Sequence, residues 1–209
     1  MKNLLLIVTS LLFICCSNAD ESNNKQSVEA EIIKEPKDDY IYKLGDVMVK
    51  WTAFKHSAKA QVGGQFKSSI VEGFTEGTDL YACVTGVSFK IPVNSTSTND
   101  TVRDYKIVNS FFNTMVRTEF ITGKIIALEK NGKGKLSINM NNNEVEKVFN
   151  WEMDDLTKEI YVKTSIDVLN WGAQSSLDAL NEVCLEQHTG PDGKNVLWPN
   201  VDITVIVDL

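Results

Sequence analysis

Two histidines, four cysteines and four prolines in 209 residues leave little material for metal centres or a stapled scaffold. Cys15 and Cys16 stand close to the start, so only Cys83 and Cys184 remain in the body of the chain. Two thiols do not make a disulfide framework. Cys184 and His188 have zinc-compatible spacing, but no Cys-x-x-Cys or His-Glu-x-x-His frame accompanies them, and His56 and Cys83 would have to converge from separate strands. No metal site is expected. There is no Gly-x-Ser-x-Gly elbow and no phosphate-cradling glycine loop, and the adjacency His56-Ser57 is not triad geometry. The chain therefore reads as a non-enzyme without a cofactor. Its net charge of −7 repels phosphate backbones, and it has no basic stripe interleaved with aromatics, which excludes nucleic acid as a partner.

What is present begins at the N-terminus. Met1-Lys2-Asn3 is a short charged start, residues 4–14 are apolar, and Cys15-Cys16-Ser17-Asn18 follows. A charged n-region, a short apolar core and small residues at a cut point mark a secretory signal peptide. The apolar run falls short of the roughly 20 residues that span a bilayer. A cysteine directly after such a core is where bacteria attach lipid. Cys16 is the better acceptor, because Cys15 then supplies the small residue before the cut, whereas Cys15 would place Ile14 there. The expected organisation is a lipoprotein signal peptide over residues 1–15, a tether over 16–39 and a folded domain over 40–209. The tether is polar, small and without apolar period, so it cannot bury enough surface to fold. The expected location is the bacterial cell envelope: exported, held to the membrane by the N-terminal lipid, on the periplasmic face or the cell surface.

From Tyr40 onward the dominant pattern is alternation with period two. Val47, Val49, Trp51 and Ala53 share one face. Val62, Phe66 and Ile70 follow, then Tyr81, Cys83, Val87, Phe89, Ile91 and Val93. Further runs cover 120–128, 136–140, 149–153 and 160–166, and the chain ends on Val201, Ile203, Val205 and Val207. Strict alternation means half-buried antiparallel strands. About eight are expected, the number at which a closed barrel is wide enough inside for side chains or one small ligand. Lys130-Asn131-Gly132-Lys133 and Asn141-Asn142-Asn143 read as hairpin turns, and Asp154-Asp155 as turn chemistry. Gly63-Gly64 inside a strand suggests a bend at a barrel corner. Apolar residues recur at helical spacing in 99–115 and 173–188, and Gly190-Pro191 ends the second of these segments. The fold class is all-β: an eight-stranded antiparallel barrel with two inserted α-helices over its ends.

Val49-Lys50-Trp51-Thr52-Ala53-Phe54-Lys55 and Val62-Gly63-Gly64-Gln65-Phe66 resemble the opening of the YceI-like family. So do Val93-Asn94-Ser95-Thr96, the pair Arg103-Asp104 and the couplet Phe111-Phe112, although Ile107 stands where many members carry leucine. The resemblance runs through most of residues 45–209. It implies a lipocalin-like barrel and suggests a long-chain isoprenoid-type lipid, a polyisoprenoid or an isoprenoid quinone, held non-covalently inside. The residues expected to line the lumen are Val49, Trp51, Phe66, Phe89, Ile91, Leu136, Ile138, Phe149, Trp151 and Val205. From the residues alone these side chains would equally pack against each other; the resemblance favours a ligand among them. Arg103 and Asp104 are either a head-group clamp at the mouth or an ion pair pinning a helix to the rim. Cys83 and Cys184 are either a disulfide or two buried thiols. The competing function is a ligand-free interaction module of the envelope.

Overall fold

Alternation makes strands because one face can be dried while the other stays wet. In β1 (Val47–Lys55), Val49 and Trp51 are buried and Met48 and Lys50 exposed. The computed structural model describes residues 40–209; the expected signal peptide, the lipidated Cys16 and the tether lie outside the described residues. The other strands are β2 (Ala60–Phe66), β3 (Ile70–Glu72), β4 (Ser88–Pro92), β5 (Thr96–Ser97) and β6 (Phe120–Leu128). They continue with β7 (Lys133–Met140), β8 (Asn143–Met153), β9 (Ile160–Asp167) and β10 (Leu197–Val207). All pair antiparallel in a single curled ten-stranded sheet of order β3-β4-β6-β7-β8-β9-β10-β1-β2-β5.

This corrects the expected eight-stranded barrel, and two interruptions explain the difference. The second expected strand breaks between Phe66 and Ile70, splitting into β2 and β3. The third gives way to a 3₁₀ turn at Val93–Ser95, after which β5 resumes. The two broken segments run beside each other on both sides of the gap. Gln65 pairs with Ser97 and Ile70 with Lys90, and between them the Lys67 N–H donates to the Ser95 carbonyl at 2.9 Å.

Helices are also more numerous than expected. The segment holding Tyr81 and Cys83 is α1 (Leu80–Val84), not a strand, because the Asp79 carboxylate accepts the N–H groups of Tyr81 and Ala82 and starts a helix there. Asp100 does the same for α2 (Thr101–Ser110), accepting from Val102 and Arg103. The second predicted helical segment divides into α3 (Gln174–Val183) and α4 (Leu185–His188) around Cys184, whose ψ of 23° leaves the helical region. No helix among the described residues is long and apolar enough to cross a membrane. The β7–β8 turn follows its sequence closely: Asn141 and Asn142 sit at φ 51° and 55°, the left-handed pair that a two-residue turn of right-handed twist requires.

Candidate functional site

The inner face of the sheet carries large aromatics, yet it is not filled by them. Three of them lie opposite a glycine on the neighbouring strand: Trp51 opposite Gly64, Phe89 opposite Gly123 and Phe149 opposite Gly134. A Cβ at Gly64 would come within 2.3 Å of the Trp51 ring, and one at Gly134 within 2.1 Å of Phe149. At Gly123 it would meet Phe89 at 2.3 Å and the Ser137 carbonyl at 2.2 Å. Each ring therefore lies down on the sheet instead of standing in the lumen. This, not a bend at a corner, is the reason for Gly64. Among the described residues, none accepts from the buried Trp51 indole N–H.

The space so preserved forms two chambers. The first, of about 270 Å³, lies between the sheet and the helices α2, α3 and α4. The second, of about 210 Å³, lies deeper along the sheet, and the only polar side chains in its lining are Ser69 and Thr164. Phe66, Ile121, Met140, Ile166 and Ile203 line both, so the chambers adjoin at these residues, here called the waist. Together the chambers fall within the size range of small-molecule sites, about 300–1,000 Å³.

The structure distributes the sequence-predicted lumen residues as follows. Val49, Phe89, Ile91, Leu136, Ile138, Phe149 and Val205 line the second chamber, Trp51 the first, and Phe66 both. Trp151 lines neither. It shares the inner face with Phe149 but sits at the sheet's end, where its indole N–H donates to the Glu129 and Lys133 carbonyls and its ring meets Tyr81 of α1 edge-on. There it packs against a second core cluster around Leu80, Cys83, Ile160 and Leu209.

Arg103 and Asp104 separate. Arg103 lines the first chamber and contacts the Asp100 carboxylate at 3.4 Å. Asp104 does not line it; one carboxylate oxygen accepts both the N–H and the hydroxyl of Thr98 at 2.7 Å, tying α2 to the residue after β5. The two side chains make no ion pair with each other. Cys83 and Cys184 are free thiols, not a disulfide: Cys83 lies in the second cluster, while Cys184 lines the first chamber. Burial pushes both thiols up from their ordinary pKa. Among the described residues, no group of three or more histidines, cysteines and acids could hold a metal.

The first chamber also holds residues not expected in a lumen: Lys55, Lys106 and Gln187, with Trp198 and Pro199 from the start of β10, and His188, which the sequence offered only as half of a zinc-like pair. Lys55 donates to the Gln187 carbonyl and Lys106 to the Val183 carbonyl, each at 2.8 Å. His188 is oriented by a chain of amides. The Asn195 amide donates to the Leu185 carbonyl, so its oxygen faces the Asn181 amide, and the Asn181 oxygen in turn faces His188 Nδ1 at 2.8 Å. Nδ1 therefore carries the proton and Nε2 is a bare acceptor. Burial, reinforced by the positive charges of Lys55, His56 and Lys106, lowers the His188 pKa to about 4. The imidazole is neutral at neutral pH.

No family sequence model matches this chain, and no curated protein does. Solved structures do. A polyisoprenoid binding domain from Saccharophagus degradans implicated in plant cell wall breakdown superposes with a TM-score of 0.54 at 12% identity, covering 77% of this chain and 91% of that one. Burkholderia cenocepacia BcnA gives 0.52 at 11% identity over 77% and 94% of the two chains. The Campylobacter jejuni YceI protein gives 0.52 at 16% identity over 75% and 88%. The chain has the YceI-like fold. At such identities the YceI-like neighbours establish the architecture: an antiparallel curled sheet with helices set against it. The two chambers and their lining described above are this chain's own.

Proposed function

We propose that the domain binds a long apolar lipid, a polyisoprenoid or an isoprenoid quinone, in the lumen, without catalysing a reaction. The observation that carries this reading is the two-chamber cavity with an almost wholly apolar inner half, kept open by aromatic rings laid flat on glycines. Burial contributes about 0.8 kcal/mol per methylene, so a long chain is held without directional bonds. The polyisoprenoid-binding description of the Saccharophagus neighbour supports the ligand class. Native mass spectrometry of freshly purified protein tests it. A co-purifying mass of isoprenoid size is the expected result. An empty protein that also takes up no prenyl lipid would turn attention to the surface and to an interaction module.

From the apolar run that ends in Cys15-Cys16, we also propose that the domain is exported to the cell envelope and tethered to the membrane through lipid on Cys16. Expression of the full precursor and its Cys16→Ser variant in a bacterial host should move the variant out of the membrane fraction. A variant that stays there with unchanged mobility rules out Cys16 as the anchor.

A further inference from the structure

Among the residues lining the first chamber, the charged ones are Lys55, Asp100, Arg103 and Lys106. The carboxylate of Asp100 is already engaged: it caps α2 through two N–H groups and faces Arg103. Among the described residues, Lys55 and Lys106 have no carboxylate partner. Their ammonium groups rest on the backbone carbonyls of Gln187 and Val183, near the C-terminal ends of α4 and α3. Helix C-termini attract lysines, which explains where the two groups sit. A neutral carbonyl does not cancel their charge.

Elsewhere on the sheet the lysines do find acids, as in Lys90–Glu72 and Lys163–Glu152. Glu182 and Glu186 belong to the same helices but lie outside the chamber lining. Three cations, Lys55, Arg103 and Lys106, therefore face one carboxylate in the lining, and Lys55 and Lys106 are charged neighbours of both Cys184 and His188 there. The chamber is thus locally positive within an acidic chain of net charge −7.

We infer that the first chamber receives an anionic head group, a carboxylate or a phosphate ester, against Lys55, Arg103 and Lys106, while the ligand's chain passes the waist into the second chamber. This rests on the lumen reading above and narrows it, because a quinone head carries no charge. The second chamber has nothing to offer a charged group, so the ligand has one orientation.

Palmitic acid, hexadecyl phosphate and hexadecanol share one chain length and differ only in the head, so titrating the full chain with each isolates the head group. Both anions should bind at least about tenfold more tightly than the alcohol, a gap of roughly 1.4 kcal/mol, and added salt should narrow it. Preference for the phosphate points to a prenyl-phosphate-like source, and preference for the carboxylate to a fatty acid. Lys106→Gln should cut affinity for the two anions several times more than for hexadecanol. If that variant loses its fold with its tie to Val183, Lys106→Arg should restore both fold and anion preference. Equal affinity of the parent chain for all three probes overturns the inference while leaving the lumen reading intact. Binding of none of them, with no uptake of a prenyl lipid either, overturns the lumen reading itself.

Discussion

At the scale of single residues, the lumen depends on side chains that are absent. Gly134 exists so that Phe149 can lie flat, since a Cβ there would sit 2.1 Å from the ring. Gly134→Val should force the ring off the sheet and into the second chamber. Such overpacking costs about 1–3 kcal/mol, read as a shift in the urea midpoint, and it should also weaken ligand uptake. Combining it with Phe149→Leu should cost less than the two changes summed, because the smaller side chain removes the clash. Strictly additive losses would mean that the ring does not rest on Gly134. His188 offers a second test. Its pKa in the fold is about 4, against about 6.5 in an unfolded chain, so between those values the unfolded state binds more protons and stability falls as pH falls. This contribution is complete above roughly pH 6.5 and lost by roughly pH 4, amounting to about 3 kcal/mol. His188→Gln should flatten the stability profile in that window; an unchanged slope would assign the acid sensitivity to other groups.

At the scale of elements, α2 is attached to the sheet by a carboxylate and α3 is attached to α2 by a lysine. Asp104 accepts two short hydrogen bonds from Thr98, whereas Arg103 faces Asp100 across a half-exposed gap of 3.4 Å. Asp104→Ala should therefore cost about 1–3 kcal/mol, and Arg103→Gln less than about 1 kcal/mol, as for other solvent-exposed pairs. Thermal melts of the two variants would reverse this ranking if Arg103 were the pin. The helical spacing in 99–115 made α2 legible in the sequence, and the alternating runs made the long strands legible, because both patterns are local. The breaks were not. Whether the chain stops pairing at residues 67–69 or turns at Val93–Ser95 depends on the neighbouring segment, not on either composition alone. Tyr81 and Cys83 keep a period-two appearance although Asp79 turns them into a helix. Lys55, Lys106 and Gln187 escaped notice for a related reason: they are far apart in the chain and meet only once α2 and α4 sit over the sheet.

At the scale of the whole domain, the sheet does two jobs with one set of side chains. Its inner face supplies the core that stabilises the fold, and leaves part of that core empty. An unfilled apolar lumen forfeits dispersion contacts that a packed interior would make, so occupancy by an apolar chain should stabilise the protein as well as store the ligand, by linkage between binding and folding. The waist decides how long that chain is. Ile166 on β9 lines both chambers, so Ile166→Trp should close the passage while leaving each chamber's far wall intact. A short prenyl alcohol that fits one chamber should then bind nearly as well as it does to the parent. A long one should lose roughly the transfer energy of every methylene that can no longer pass, at about 0.8 kcal/mol each. Circular dichroism must show the strand signal retained before the comparison is made, since the added ring also loads the core. Equal losses for short and long chains in a folded variant would mean that the chambers act separately and that ligand never crosses the waist.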